Sequence, residues 1–195
     1  DVAGHSSVIL NLKRILGSGR IAHAYLFSGP EGVGKKKVAT AFIEAFFCGI
    51  TEGCGECIYC RKILSGNHPD IHTLEPDGQF IKVDQVRALQ KDLAFRPYEA
   101  SRKACIIDGA DRFNPSSGNS LLKTLEEPPG NALLILLAAN IDTVLPTIRS
   151  RCQQIAFSGV PADEITGVLE KSGIDSASAR VAASLAEGSI ARALN

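Results

Sequence analysis

The sequence contains no methionine and no tryptophan, only three tyrosines, and no excess of either charge, since 21 acidic side chains balance 21 basic ones. Balanced charge argues against a dedicated polybasic nucleic-acid binder but leaves room for a local basic patch. Long apolar runs are also missing. The longest, Ala132 to Ala139, falls well short of the roughly 18 residues a membrane-spanning helix needs. The opening Asp1-Val2-Ala3-Gly4-His5 lacks the basic-then-apolar layout of a signal peptide, so a cytosolic location without membrane contact is expected. Glycine (18) and proline (9) are too sparse for a collagen-like or low-complexity chain, and 45% hydrophobic with 22% charged residues is an ordinary globular composition. Methionine is absent even at residue 1, and a helical pattern runs straight into Leu194-Asn195. Both features lead us to expect a fragment of a longer polypeptide or a chain with a disordered end.

What the sequence does have is a concentration of cysteine. Four of its six cysteines, Cys48, Cys54, Cys57 and Cys60, follow a C-x5-C-x2-C-x2-C spacing. In a reducing compartment such a cluster reads as metal ligands rather than disulfides. Four thiolates at about 2.3 Å close a tetrahedral zinc shell and leave no open position, so a structural zinc is expected ahead of an iron–sulfur cluster or free thiols. Cys105 and Cys152 stand alone in apolar surroundings and read as buried thiols.

Hydrophobic periodicity predicts helices over 6–16, 35–47, 83–93 and 120–125, with Ser6 or Ser7 capping the first and Gly17 ending it. Short apolar runs predict strands over 24–27, 71–74, 104–108, 132–138 and 154–157. The run from Ala132 is wholly apolar, as in a parallel sheet covered on both faces. Alternating strands and helices imply a doubly wound α/β domain. Beyond Ser158-Gly159-Val160-Pro161 the strand signal stops, which divides the chain into an α/β domain over residues 1–159 and a small all-α domain over 160–195, with Asp163 and Ser176 as possible N-caps. No internal repeat is visible.

Gly29-Pro30-Glu31-Gly32-Val33-Gly34-Lys35-Lys36 follows a strand and opens a helix, the setting of a phosphate-binding loop. Gly29, Gly32 and Gly34 let backbone N–H groups turn inward at a helix N-terminus, and Lys35 would reach outer phosphates. The last position fails the G-x-x-x-x-G-K-[ST] pattern. Lys36 stands where a hydroxyl should ligate Mg²⁺, and an ammonium there repels the metal. The alternative is a glycine turn with three solvated lysines. Cys105-Ile106-Ile107-Asp108 resembles a Walker B strand ending in a carboxylate, but the next residue is Gly109, where hydrolysing enzymes usually place a glutamate that orients water. Asp108 could equally cap a turn. Two parts of an ATPase are lost inside a retained frame.

Longer motifs carry a family resemblance. Asn119-Ser120-Leu121-Leu122-Lys123-Thr124-Leu125-Glu126-Glu127-Pro128-Pro129 is similar to a signature of the bacterial clamp-loader subunits of DNA polymerase III, which are AAA+ proteins. Ile148-Arg149-Ser150-Arg151-Cys152 resembles their Ser-Arg-Cys motif. His23-Ala24-Tyr25-Leu26-Phe27-Ser28-Gly29-Pro30 and the cysteine module match in the right order, so the resemblance covers nearly the whole chain. The family includes an ATP-hydrolysing motor type, gamma/tau, and a delta-prime type without working nucleotide chemistry. Lys36, Gly109 and the short first cysteine gap favour delta-prime. The motor type is the alternative, and a zinc-dependent nucleic-acid-binding module is a further one.

The resemblance implies a ring-like pentamer with gamma/tau and delta subunits that opens a sliding clamp and places it on primed DNA. The chain would belong to a nucleotidyltransferase holoenzyme while having no ATPase of its own. Its Arg151 would project into a neighbour's ATP site as an arginine finger, where a planar guanidinium can bridge phosphate oxygens. The competing readings are a surface ion pair for Arg151 and the same role for nearby Arg149. Asn140 takes the approximate place of the polar sensor 1 residue, or caps a turn. Gly188-Ser189-Ile190-Ala191-Arg192 resembles the sensor 2 region of the lid, with Arg192 four residues after the glycine where the motor form has three. The family's C-terminal collar domain would lie outside this chain.

Overall fold

A computed structural model describes residues 4–194. Its frame is a five-stranded sheet formed by β1 (Ala24–Ser28), β2 (Ile71–Leu74), β3 (Ala104–Asp108), β4 (Leu133–Ala138) and β5 (Gln153–Ala156). The order is β2-β3-β4-β1-β5 and every pairing is parallel. Residues of β1 and β4 are buried throughout, as their continuous apolar runs require, whereas the edge strand β5 buries only Ile155. Period-two alternation splits the strand residues between two cores. Tyr25, Phe27, Leu133, Ile135 and Leu137 face one cluster, while Ala24, Leu26, Leu134, Leu136 and Ala138 face the other.

Helices α1 (Ser6–Ser18) and α2 (Lys35–Cys48) cover the first face through Leu12, Val38, Phe42 and Ile43. Helices α4 (Val83–Ala94) and α5 (Pro115–Glu126) cover the second through Val86, Leu89, Leu93, Leu121 and Leu125. Two short helices complete this part, α3 (Ile58–Leu64) within the cysteine module and α6 (Pro146–Arg149) before β5. Among the described residues, three helices follow β5, α7 (Ala162–Lys171), α8 (Ser176–Leu185) and α9 (Ile190–Leu194), whose Ile165, Leu169, Ala179 and Ala183 join the first cluster.

Several caps differ from expectation. Residue His5, in the left-handed region, precedes α1, and Gly19 rather than Gly17 ends it. Instead of a serine cap, His5 Nε2 contacts the Val33 carbonyl at 2.9 Å and so ties the chain start to the phosphate loop. Helix α5 begins five residues earlier than expected because Asn114 and Ser117 form a reciprocal capping box ahead of Pro115. Asp175, not Ser176, caps α8 by accepting from the Ala177 and Ser178 N–H groups. Pro161 takes the N-cap position of α7, so Asp163 lies inside the first turn. The Cys105 thiol is fully buried, but Cys152 is only partly so.

Candidate functional site

The turn between β1 and α2 lines a cleft of about 720 Å³ at the C-terminal ends of the strands, together with Asp108, Gly109 and the residues after β4. Open α/β sheets receive ligands at this end. Gly32, Gly34, Lys35 and Lys36 all line the cleft. Gly32 has φ 75°, and a Cβ there would lie 2.1 Å from Ser189 Oγ and 2.9 Å from Ala191 Cβ. The Ala191 N–H donates to the Gly32 carbonyl at 3.1 Å. Glycine therefore permits the turn and also lets the start of α9 seat directly on the loop.

Lys35 is not on a solvated face. It is 9% exposed, and its ammonium donates to the Gly29 and Pro30 carbonyls at 2.5 and 2.7 Å. Burial lowers its pKa, against the opposing pull of Asp108, Asp111 and Glu31. Lys36 binds the Glu75 carboxylate and stands 3.3 Å from Asp108 Oδ2. Burial acts against its charge, but Glu75 and Asp108 outweigh it and raise the pKa. The ammonium thus occupies the space beside the Asp108 carboxylate. The cleft is lined by Lys35, Lys36, Lys37 and Arg112, and by Glu31, Glu75, Asp108 and Asp111. Four positive side chains against four negative ones leave no net attraction for a polyphosphate.

Gly109 has φ 92°, and a Cβ would lie 2.9 Å from Pro76 Cγ. The position that lacks a water-orienting glutamate is thus one that an L side chain enters only with strain. Asp111 Oδ2 accepts from the Ala139 N–H at 3.3 Å, so this carboxylate braces the loop after β4. The other candidates stand apart. Asn140 is exposed and caps a turn through the Asp142 N–H at 2.9 Å. Arg192 pairs with Glu187 at 2.5 Å. Neither lines the cleft.

Arg151 lies at the opposite end of the sheet. Register pairs Tyr25 with Gln153 and Ser28 with Ala156. Arg151 precedes that stretch and the phosphate loop follows it, so at least ~13 Å of strand separates them. Arg151 cannot serve its own chain's loop. Its Nε and Nη2 meet Glu126 Oε1 at 2.7 and 2.5 Å, and Nη1 donates to the Thr147 carbonyl at 3.0 Å. Arg149 approaches Asp142 at 3.9 Å.

The four clustered cysteines can hold a metal ion. Their Sγ atoms all lie within 4.8 Å of one another, with Cys54 to Cys60 at 3.8 Å and Cys57 to Cys60 at 3.4 Å. A tetrahedron with ligands at about 2.3 Å has edges of about 3.8 Å, so the donor set fits zinc. The Cys57 and Glu56 N–H groups bring the Cys54 thiol down to about 6, which favours a thiolate at neutral pH. Burial pushes the Cys60 thiol up. Cys57 also caps α3 by accepting from the Cys60 N–H. From α3, Tyr59 Oη donates to the Glu99 carbonyl at 3.1 Å and Lys62 pairs with the Glu99 carboxylate. The buried Asp70 carboxylate accepts from the Tyr98, Glu99 and Ala100 N–H groups at 2.7, 2.8 and 2.9 Å. The cysteine module and Asp70 together fix the loop between α4 and β3.

Sequence reasoning assigned no contact to Glu75, Ala191 or Glu126. Each gains its role through contacts with residues distant in sequence. Glu126 and Ala191 lay inside motifs already singled out, and Glu75 did not.

Comparison with known proteins gives a consistent picture. Residues 4–161 match the family described as DNA polymerase III, delta subunit. DNA polymerase III subunit delta' of Bacillus subtilis is 39% identical over 168 residues, covering 85% of this chain and 51% of that protein. DNA polymerase III subunit tau of the same organism is 32% identical over 204 residues, covering all of this chain and 36% of its own length. The chain thus spans about half the length of the first relative and about a third of the second. Among solved structures, the Thermotoga maritima RuvB Holliday junction branch migration motor aligns with a TM-score of 0.68 at 17% identity, over 98% of this chain and 60% of that one. At that identity the likeness concerns the fold alone.

Proposed function

The chain belongs to the DNA polymerase III delta-subunit family, with delta-prime relatives at 39% identity, and from that premise we propose that it is a non-hydrolysing clamp-loader subunit of the delta-prime type. Its partners would be the gamma/tau and delta subunits, and through them the sliding clamp and primed DNA, in the bacterial cytoplasm. Among the described residues, no helix is long and apolar enough to cross a membrane.

One observation carries the reading. The Lys36 ammonium is bound by Glu75 and stands 3.3 Å from Asp108, the Walker B-like carboxylate beside which a magnesium ion would sit. ATP hydrolysis in this fold needs that metal and a base to orient water. Here the first is displaced by a side chain, and the second would have to grow from a strained Gly109. The motor alternative requires both. The Bacillus subtilis tau relative matches the whole chain, yet the loop chemistry speaks against that role.

Arg151 is the group we assign to trans action. Its position at the far end of the sheet from its own cleft supports service to a neighbour's phosphates, where one arginine can contribute about 10³-fold or more in rate. Zinc in the four-cysteine site would act as a staple that holds α3 against the loop between α4 and β3, with no catalytic position left open.

The test is the DNA-stimulated ATPase of the reconstituted clamp loader. Arg151→Ala is expected to depress it strongly while Arg149→Ala leaves it near the starting level. Full activity with Arg151→Ala would refute the assignment.

A further inference from the structure

Glu126 ends α5, and Arg151 follows α6. Their side chains meet through two nitrogens on one carboxylate oxygen, Nε at 2.7 Å and Nη2 at 2.5 Å. The remaining nitrogen, Nη1, is engaged by the Thr147 carbonyl at 3.0 Å and Ser150 Oγ at 3.3 Å. A guanidinium has five N–H donors, so this arrangement leaves about one proton uncommitted. The pair is also electrically neutral. In this state Arg151 offers a phosphate neither a free bidentate edge nor an unopposed charge.

The pair is nevertheless easy to open. The Arg151 side chain is 33% exposed and that of Glu126 is 50% exposed, so water can take the place of either partner. Exposed pairs of this kind contribute little to stability. A terminal phosphate carries more charge than a carboxylate and offers more acceptor oxygens. It can therefore win the arginine when a neighbour presents it, and the outcome depends on how firmly Glu126 holds.

We propose that Glu126 is the intramolecular competitor for Arg151, a positioning residue that keeps the guanidinium neutralised against α5 and α6 until a neighbouring subunit's nucleotide displaces the carboxylate. The proposal rests on the trans role of Arg151 and adds a second residue that sets the affinity of the shared site for its nucleotide. Glu126 does not touch the reacting atoms and acts only through Arg151.

The experiment uses the reconstituted complex, with the other ATP sites inactivated so that only the site next to Arg151 reports. Glu126→Gln keeps the side chain's shape and removes its charge. It is expected to lower KM for ATP by about two- to fivefold, the share that an exposed ion pair can withhold, with kcat retained. In an Arg151→Ala background the same change is expected to do nothing. A fall in kcat with KM unchanged would overturn the proposal, because Glu126 would then align the arginine during the reaction. No change in either constant would also overturn it. If Arg151→Ala itself leaves the ATPase intact, the finger assignment fails and the proposal falls with it. If Arg151→Ala depresses the ATPase while Glu126→Gln is silent, only the proposal falls.

Discussion

Replacing Lys36 with threonine should give the cleft back its metal site without restoring hydrolysis. Two effects compete in this variant. The first is the loss of the Lys36 ion pairs. Side-chain exposures of 50% for Lys36, 55% for Glu75 and 39% for Asp108 place these pairs in solvent-screened surroundings, so the stability cost should stay within about 1 kcal/mol. The second is the release of the two carboxylates and the arrival of a hydroxyl at the position that ligates Mg²⁺ in working phosphate loops. One recovered charge-assisted contact is worth ~1.5 kcal/mol or more, which is about tenfold in affinity. Lys36→Thr should therefore bind ATP at least about tenfold more tightly with Mg²⁺ than without it, by calorimetric titration, and urea unfolding should place it close to the parent. Turnover should stay absent, because Gly109 sits at φ 92° with Pro76 against it and no general base follows Asp108. Two results would refute the reasoning. A loss of 3 kcal/mol or more, far above what screened pairs supply, would make Lys36 a structural strut. Binding indifferent to Mg²⁺ would mean that the ammonium is not what excludes the metal.

Asp70→Ala strips three backbone N–H groups of their shared acceptor and should cost about 3–5 kcal/mol in urea unfolding, whereas a change under 1 kcal/mol would mean the loop between α4 and β3 is held by other contacts. Stability should also fall on acidification. Burial holds His68 and His72 below the ordinary histidine value, so their neutral forms favour the fold fully above about pH 6.5, and that contribution is lost as the pH drops toward their folded values. Asp70 follows at lower pH. Burial alone would raise its pKa, but the Ala100, Glu99 and Tyr98 N–H groups outweigh it and lower it. Its contribution is therefore present above about pH 3.9 and disappears as the pH falls through the lower folded value. Melting temperature against pH reads both, and an unchanged slope near pH 6 in His68→Gln/His72→Gln would contradict the histidine assignment. A zinc chelator should remove one metal per chain and raise amide exchange in α3 and residues 98–100, while β1 and β4 stay protected. Uniform unfolding would contradict a local staple.

The sheet was readable because β1, β3 and β4 are continuous apolar runs between turn residues, and a buried parallel strand announces itself that way. The glycine turn ahead of α2 is legible because its glycines and lysines are contiguous. The sequence does not indicate that Lys36 finds Glu75, because that contact depends on how β2 is placed in the sheet. The same holds for Ala191 on Gly32 and Glu126 on Arg151, which join distant segments. Helix α5 was underestimated because Ser116, Ser117 and Gly118 look like a turn until Asn114 is recognised as its cap. Helix α3 was hidden inside the metal-ligand spacing, with Cys57 serving as both ligand candidate and cap. The four-cysteine cluster needed only short-range geometry, and its side chains converge as the spacing implies.

On the proposed reading, Lys36 stands where magnesium would otherwise sit beside Asp108. Calorimetric titration of the unmodified protein with ATP, in the presence and absence of Mg²⁺, tests it most directly. The account predicts that the metal adds no affinity, whereas tightening of tenfold or more on adding Mg²⁺ would contradict it.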